Sequence, residues 1–574
     1  RDPRDPRDPR GIQGALSARG TQGNRGLRDN RNPQDPRDAR DPGDARDARD
    51  TLRSLWASVL GTHDLPDDAN FFDLGGSSIS AIRLHNRVRD ALGVEFSLAD
   101  FFAEPTLGAL ARSLKGDPAP SSVEDVVDRA PVTDQQARML AVQPTLARPQ
   151  VYNVPTRIRL TGPVDTDALR AALTRLVERH HTLRTRYVQD GGGTWWQEVV
   201  DVALPPLRVD DYSRLPAERA AERADKACRA AADEPFDLTR PTLPRLRLLR
   251  VAQDEWVLMF VLHHICTDGW SHGVLLEELA ALYTAAAAGT PHTLPAPSAQ
   301  PADHARRQLE RRGTADRARR AAHFVGYLDG VPTRLEVPTD RPRTERLSGD
   351  GDTVRGHAPA GLRAKVERFA AAHRVTPFAV VAAALGVLLA RLSGQRDLLL
   401  GVPYANRDGS DTESLVSLVS TNVPVRVRVL AEETCAELVA RTGAETLAAM
   451  ANVLPTAEVW RALRDAGARE VPEVVSCLLA FQNTDDVDIE IPGLRVEVDD
   501  VAPPAARSEL TFGLTQRRDP ALGYRTYVEY SADLWDRKSA ERILDSYLSV
   551  LDDLCDSPGR PVAELLALTP SGEA

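Results

Sequence analysis

The 574-residue chain holds no run approaching the roughly 20 uninterrupted apolar residues that span a bilayer, and its N-terminus has no short apolar core of a secretory leader. A membrane location is not expected; a cytoplasmic one is. Cysteine is scarce. Cys228, Cys266, Cys435, Cys477 and Cys555 lie far apart with no CxxC pair, which excludes a disulfide framework and a structural zinc site and reads as reduced thiols. Positive charge is in deficit, 72 Lys and Arg against 83 Asp and Glu, for a formal net charge of −11. That balance argues against nucleic acid or an anionic membrane as partner. The chain opens on Arg1 with no methionine, so a processed or excised piece is expected. What is present in quantity is apolar material, 42% of residues, enough to build real cores in the two or three compact units that the length calls for.

Residues 1–50 are low-complexity, with RDP and DAR repeats in which proline recurs too often for a helix and Arg and Asp roughly cancel. The segment cannot bury a core and reads as a disordered tail or tether. From residue 51 the pattern changes. Leu52, Leu55, Trp56 and Val59 recur at helical spacing up to Gly61, and Ile79, Ile82, Val88 and Leu92 do so in a second stretch. With a short turn and a last helix, residues 51–115 make a small all-α bundle. Residues 116–130, rich in Pro, Ser and acids, read as a linker. The remainder, 131–574, alternates strand and helix signals and is expected to form two lobes, about 131–300 and 301–574. Its strands include TRIRLTG, LRTRYVQ, EWVLMFVLHHI, DLLLGVP, VPVRVRV, VVSCLLAFQ and GYRTYVEY. A long charged helix over ARRQLERRGTADRARRAAHFVGYLDG is expected to cross between the lobes.

Two motifs carry chemistry. In FFDLGGSSIS, two glycines allow a sharp turn and Ser78 falls at a helix start, its hydroxyl beside free N–H groups. By spacing alone such a serine is an N-cap. The run DANFFDLGGSSI, however, resembles the attachment signature of acyl and peptidyl carrier proteins, and the likeness covers all of 51–115 through PTLGALA. The resemblance implies that Ser78, not Ser77, carries 4′-phosphopantetheine, the thiol of which holds an acyl group. A helix N-terminus favours the phosphate.

The second motif is LHHICTDGWSHG, residues 262–273, in which an apolar strand delivers His263 and His264 and an amphipathic helix follows Asp268 and Gly269. A buried histidine pair is by itself more often structural than catalytic. Zinc would need a third ligand, and none stands at a suitable spacing. The run HHxxxDGWS resembles the active-site motif of non-ribosomal peptide synthetase condensation domains. RHHTLRTRY (179–187), LEVPTDRPR (335–343), LVSTNVPVRV (418–427) and YVEYSADLWDR (527–537) resemble further segments of that family in the proper order. The implied architecture is a small four-helix carrier bundle followed by a two-lobed α/β domain built like two chloramphenicol-acetyltransferase halves. The implied reaction is attack of an acceptor amine on a donor thioester. His264 orients the amine or takes its proton, His263 stands beside it, and Asp268 pairs structurally with Arg184. The N–H of Gly269 faces the developing oxyanion.

Several segments depart from the family's pattern: Met139 for a tryptophan, QPADHARRQLE without its aromatics, STN at 420–422, and ANVLPTAEV. They leave acceptor choice and domain contacts open. The HHICTDGWSHGVLLEELAALY stretch resembles domains that accept an L-configured donor. A carrier ahead of a condensation domain implies that Ser78 presents the donor. An upstream adenylation domain and a phosphopantetheinyl transferase would prepare it, and a downstream carrier or a soluble amine would supply the acceptor in trans. Antibiotic or siderophore biosynthesis is the implied setting. Three other readings stay open: ester formation with a hydroxyl acceptor, a non-catalytic recruitment platform, and a thioesterase. The last would use Ser271, because GWSHG also fits the G-x-S-x-G nucleophile pattern.

Overall fold

The computed structural model describes residues 44–62, scattered positions from 70 to 110, and 125–567 apart from gaps at 345–346, 408, 469–470, 472–474, 483–488, 501–504 and 518. The chain divides into two compact units, Arg1–Ser122 and Val123–Ala574.

In the first unit a helix spans Asp44–Leu60, beginning inside the segment expected to be a disordered tail. The reason lies in the repeat: its last proline is Pro42, and the DARDARD that follows can continue the helix. Leu52 and Trp56 are buried as their spacing predicts, with Leu55 and Val59 partly so, against Phe71, Ala81, Leu84, Val88, Phe101, Leu107 and Leu110. Trp56, Phe71 and Phe101 meet edge to face with centroids 5.1–5.5 Å apart, an arrangement worth about 0.5–1.5 kcal/mol per pair beyond burial. Ile79, Ile82 and Leu92 lie outside the described residues.

In the second unit the N-terminal half contributes β1 (Val126–Pro131), β2 (Asn153–Thr161), β3 (Thr185–Gln189), β4 (Trp195–Val200), β5 (Arg208–Asp211), β6 (Arg245–Ala252) and β7 (Glu255–His263). The C-terminal half contributes β8 (Gly351–Ala358), β9 (Asp397–Tyr404), β10 (Thr421–Arg428), β11 (Cys477–Gln482), β12 (Arg495–Asp500), β13 (Leu510–Gln516) and β14 (Tyr524–Ser531). They form a small sheet β1-β4-β3, a six-stranded sheet β10-β9-β11-β13-β14-β8 and a five-stranded sheet β12-β2-β7-β6-β5.

The composition of β7 follows from its place. It pairs with β2 and β6 and is covered on both faces, so its apolar run does not alternate with polar residues. Leu258, Phe260 and Leu262 pack with helices Thr166–Arg179 and Gly269–Ala287. Val257, Met259 and Val261 face the other way, onto the alanine stripe of helix Ala217–Asp233. In the C-terminal half, helix Pro377–Ser393 is apolar all round because every side from Ala379 to Ala390 is buried. Among the described residues no single helix is long and apolar enough to cross a membrane.

Two expectations are corrected. The single long helix of the middle segment is two, Pro301–Glu310 and Ala315–Tyr327. Gly313 adopts φ +76° at the break, and the Thr314 hydroxyl accepts from the Arg317 N–H to start the second helix. The lobes also do not part cleanly near residue 300: β12, from the C-terminal half, pairs with β2 from Arg495↔Thr161 to Asp500↔Thr156 and closes the N-terminal sheet.

Candidate active site

The last residue of β7 is His263, fully buried on the same face as Val261. Its ring lies edge-on to Phe236 and Tyr152, with centroids 5.6 and 6.1 Å away. The Ile265 N–H donates to its Nδ1 at 3.1 Å, so the proton sits on Nε2. Burial, with His264 and two arginines adding to it, pushes this imidazole down to about 3. His263 is therefore a neutral packing group that caps the turn.

His264 begins the 3-10 turn His264–Cys266 and is half-buried. Its Nδ1 lies 2.7 Å from the Thr267 carbonyl oxygen, which can only accept, so Nδ1 is the donor and Nε2 keeps its lone pair. Among the described residues Nε2 has no hydrogen-bond partner. Burial and then the charge of Arg507 push the ring down to about 4, against the raising effects of the Thr267 carbonyl and Asp268. Two further bonds hold the turn: the Thr182 hydroxyl donates to the Cys266 carbonyl at 3.2 Å, and the Cys266 thiol, pushed up to about 12 by burial, donates to the His263 carbonyl.

Asp268 is the N-cap of helix Gly269–Ala287, its carboxylate accepting from the Ser271 N–H at 2.8 Å. It also accepts from the main-chain N–H groups of Val419 and Ser420 at 3.0 and 2.9 Å. Its ion-pair partner is Arg407, whose Nη2 lies 2.9 and 3.0 Å from the two carboxylate oxygens, with 3% and 1% of the two side chains exposed. This corrects the expected pairing with Arg184, which donates instead to the Val200 carbonyl at 3.0 Å. The RHH motif just before it is structural as well. Arg179 and His180 both bind Glu278, in the body of the same helix, at 2.6–3.1 Å.

Gly269 is exposed, and a side chain there would meet nothing within 4 Å. As the first helical residue its N–H has no intrahelical acceptor. Ser271 is buried and fully engaged: its hydroxyl donates to the Ser417 carbonyl at 2.8 Å and accepts from Arg407 and the Ser417 N–H at 2.8 and 3.1 Å. None of these partners is a histidine, so the arrangement required of a serine nucleophile is absent. Ser78 and its neighbour Ser77 lie outside the described residues. Among the described residues no group of three or more His, Cys, Asp or Glu side chains could hold a metal ion.

The sequence singled out His263, His264, Asp268 and Gly269, which the fold keeps in one turn and helix start, and it did not single out Arg407 or Thr182, which bind that turn. Arg407 follows Asn406, a non-glycine residue at φ +56°, just past the apolar end of β9. The residue pair Asn406-Arg407 after the strand was the local signal.

Comparison with known proteins adds the following. The family model described as a condensation domain matches residues 126–574, and that of the phosphopantetheine attachment site matches 50–114. A probable non-canonical nonribosomal peptide synthetase, CymA of Salinispora arenicola, is 34% identical over 525 residues, covering 89% of this chain. The dimodular nonribosomal peptide synthase of Bacillus subtilis is 31% identical over 535 residues, covering 90%. The chain spans 7% and 22% of the lengths of these two relatives. Among solved structures, the X-domain from teicoplanin biosynthesis is 27% identical with a TM-score of 0.66, covering 76% of this chain and 97% of that one. The first condensation domain of the CDA synthetase, 21% identical with a TM-score of 0.64 over 77% of this chain and 99% of its own, shares the fold. The two-lobed α/β expectation agrees with these likenesses.

Proposed function

The chain belongs to the condensation-domain family of non-ribosomal peptide synthetases, with a phosphopantetheine-attachment domain ahead of the condensation domain, and from that premise we propose that it joins a donor held on its own carrier to an acceptor amine supplied in trans. When bound to Ser78, 4′-phosphopantetheine would supply a thiol that holds the donor acyl group in activated form. The remaining steps fall to residues of the second unit. His264 is neutral near pH 7, and its free Nε2 lone pair can accept an N–H of the attacking amine and aim the nitrogen at the carbonyl carbon. A group pushed down to about 4 is a weak base, so orientation is its larger contribution. As the amine adds, negative charge develops on the carbonyl oxygen, and the Gly269 N–H at the helix start is available to it. Collapse breaks the C–S bond, the proton given up by the amine nitrogen passes to the departing sulfur, and the thiol and an amide remain.

The observation that carries this reading is the fixed tautomer of His264, with the ring locked through Nδ1 and its other nitrogen open. The complete motif favours a catalyst over a recruitment platform, and the engaged Ser271 hydroxyl favours it over a thioesterase. The adenylation domain, the transferase that modifies Ser78, and a carrier-bound or soluble acceptor are the partners this reading requires, in a cytoplasmic setting.

The test is a single-turnover reaction followed by intact-protein mass spectrometry. A broad-specificity phosphopantetheinyl transferase loads the chain from an aminoacyl-CoA thioester, with 3′,5′-ADP as the leaving group, and amine and hydroxyl acceptors are then offered. Wild type should load and release amide, Ser78→Ala should refuse the load, and His264→Ala should load but condense at least ~10²-fold more slowly. Hydrolysis alone, or a donor retained against every acceptor, would reject the proposal.

A further inference from the structure

The segment RHHTLRTRY reaches the histidine turn through one hydroxyl. Thr182 lies in the 3-10 turn His181–Arg184, between helix Thr166–Arg179 and β3, with 1% of it exposed. A third segment holds that turn in place. The Thr242 hydroxyl donates to the Thr182 and Thr185 carbonyls at 2.8 and 2.9 Å, and the Thr242 N–H donates to the Thr185 carbonyl at 2.9 Å. So fixed, the Thr182 hydroxyl reaches across to the histidine turn and donates to the Cys266 carbonyl at 3.2 Å. Among the described residues this is the one hydrogen bond of the hydroxyl, and no other donor reaches that carbonyl.

The Cys266 carbonyl and the Thr267 N–H are the two polar ends of one planar peptide unit. At the second end the Thr267 N–H reaches the His264 carbonyl at 3.4 Å, a long and weak bond. Thr182 therefore does most to fix the tilt of this plane. Thr267 is buried and extended, with φ −151° and ψ 158°, so the next peptide follows that tilt. Its oxygen, the Thr267 carbonyl, is the acceptor 2.7 Å from His264 Nδ1. Without its donor the Cys266 carbonyl is buried and unsatisfied, and rotation of the peptide is the relief open to it. His264 then loses the acceptor that keeps its proton on Nδ1.

We propose that Thr182 is a positioning residue of the reaction. Its hydroxyl holds the Cys266–Thr267 peptide so that the Thr267 carbonyl keeps the His264 proton on Nδ1 and leaves Nε2 to accept from the amine. This rests on the condensation reaction proposed above and adds to it the means by which the tautomer is set. A ring that carries its proton on Nε2 presents the amine with a donor where an acceptor is needed. Thr182 touches no reacting atom and acts through the main chain of the turn.

Thr182→Val, Thr182→Ala and Thr182→Ser are compared with wild type in the full chain, by single turnover across acceptor concentration and by NMR of the histidine ring nitrogens near neutral pH without donor. The His264 signals, assigned by their loss in His264→Ala, should show the proton on Nδ1 in wild type. Thr182→Val keeps nearly the shape of threonine and removes the donor. It should move the His264 proton partly or wholly to Nε2 and lower the maximal rate at least ~10-fold, with half-saturation by acceptor unchanged. Thr182→Ser should restore most of both. Thr182→Ala removes the same hydroxyl with less crowding at the carbonyl and takes the place of Thr182→Val if that variant does not fold. A folded variant without the hydroxyl that keeps the proton on Nδ1, or keeps the full rate, overturns the inference, as does a loss that Thr182→Ser does not relieve. A wild-type chain that makes no amide overturns the reaction instead, and the tautomer, read without donor, keeps the two failures apart.

Discussion

Asp268 uses its carboxylate to hold the two halves of the chain together at the site. It accepts from Arg407, Val419 and Ser420 on one side while capping the helix of its own motif on the other. Breaking such a buried pair from one end leaves an uncompensated charge, which costs about 3–5 kcal/mol. Asp268→Asn, which strands the Arg407 guanidinium, should therefore lower the denaturant midpoint substantially while His264 remains intact. Ser271→Ala should cost only ~1 kcal/mol and leave condensation unchanged, and a fluorophosphonate probe should label Ser271 in neither the variant nor the wild type. The histidines predict a pH dependence. His263, His264 and His304 are held at about 3, 4 and 4, below the usual 6.5, so the unfolded chain binds more protons than the folded one in between. The histidines' contribution to stability is then full above about 6.5 and falls as pH drops toward 4, a slope measurable by urea unfolding at pH 4.5, 5.5 and 6.5 in the Glu458→Gln background, where the opposing carboxyl is absent. At this scale the motif was legible because His263, His264, Asp268 and Gly269 are neighbours in sequence. Arg407 was not, because it lies 139 residues away and nothing local marks it as the partner.

Between elements, the most consequential contact outside the motif joins helices Asp134–Val142, Ala315–Tyr327 and Thr456–Asp465. Arg317 reaches Glu458 at 2.6 Å and Asp134 at 3.9 Å, and Arg312 also binds Asp134. Two carboxylates thus share this junction. Burial first, and then Asp134, push Glu458 up to about 7 against the opposing pull of Arg317. The folded chain accordingly holds a proton there between pH 4.5 and 7 that the unfolded chain does not. The linked stability is lost as pH rises through 7, opposite in sign to the histidine effect. Denaturant midpoints at pH 6 and pH 8 should therefore differ in wild type and converge in Glu458→Gln; equal midpoints in wild type would refute the shared proton. Sequence patterning found the inner strands β2, β7, β9, β11 and β14 and the apolar edge strand β10. It passed over β5 and β12, sheet-edge strands rich in charge, and β13, where Gly513 interrupts the pattern because the Tyr527 ring crosses over it. The broken middle helix was marked by Gly313-Thr314, a signal that long charged periodicity outweighed.

Across the whole second unit, the crossing of β12 sets how far the lobes can move. Its six residues hydrogen-bond to β2, the strand that also pairs with β7 and so carries the turn of His264. Arg157 and Arg159 reinforce the seam by binding Asp499, Arg159 from 340 positions away in sequence, a separation that no local pattern reports. If the substrate arms enter a channel between the lobes, the lobes must open by rotating about this strand, because peeling it away would break a row of backbone bonds and uncover Val496 and Val498. Arg159 and Glu497 are exposed and directly opposed in register, so their Cα separation falls in the range of about 4.5–5.5 Å set by antiparallel pairing, within reach of a disulfide. The native thiols will not compete: Cys266 and Cys555 are pushed up to about 12 and Cys435 to about 11 by burial, and Cys228 and Cys477 are raised in the same direction. The double variant Arg159→Cys with Glu497→Cys should therefore oxidise cleanly and condense at the wild-type rate in single turnover. If the oxidised form loses activity and a reductant restores it, β12 must unzip during the reaction and rotation about it is the wrong motion.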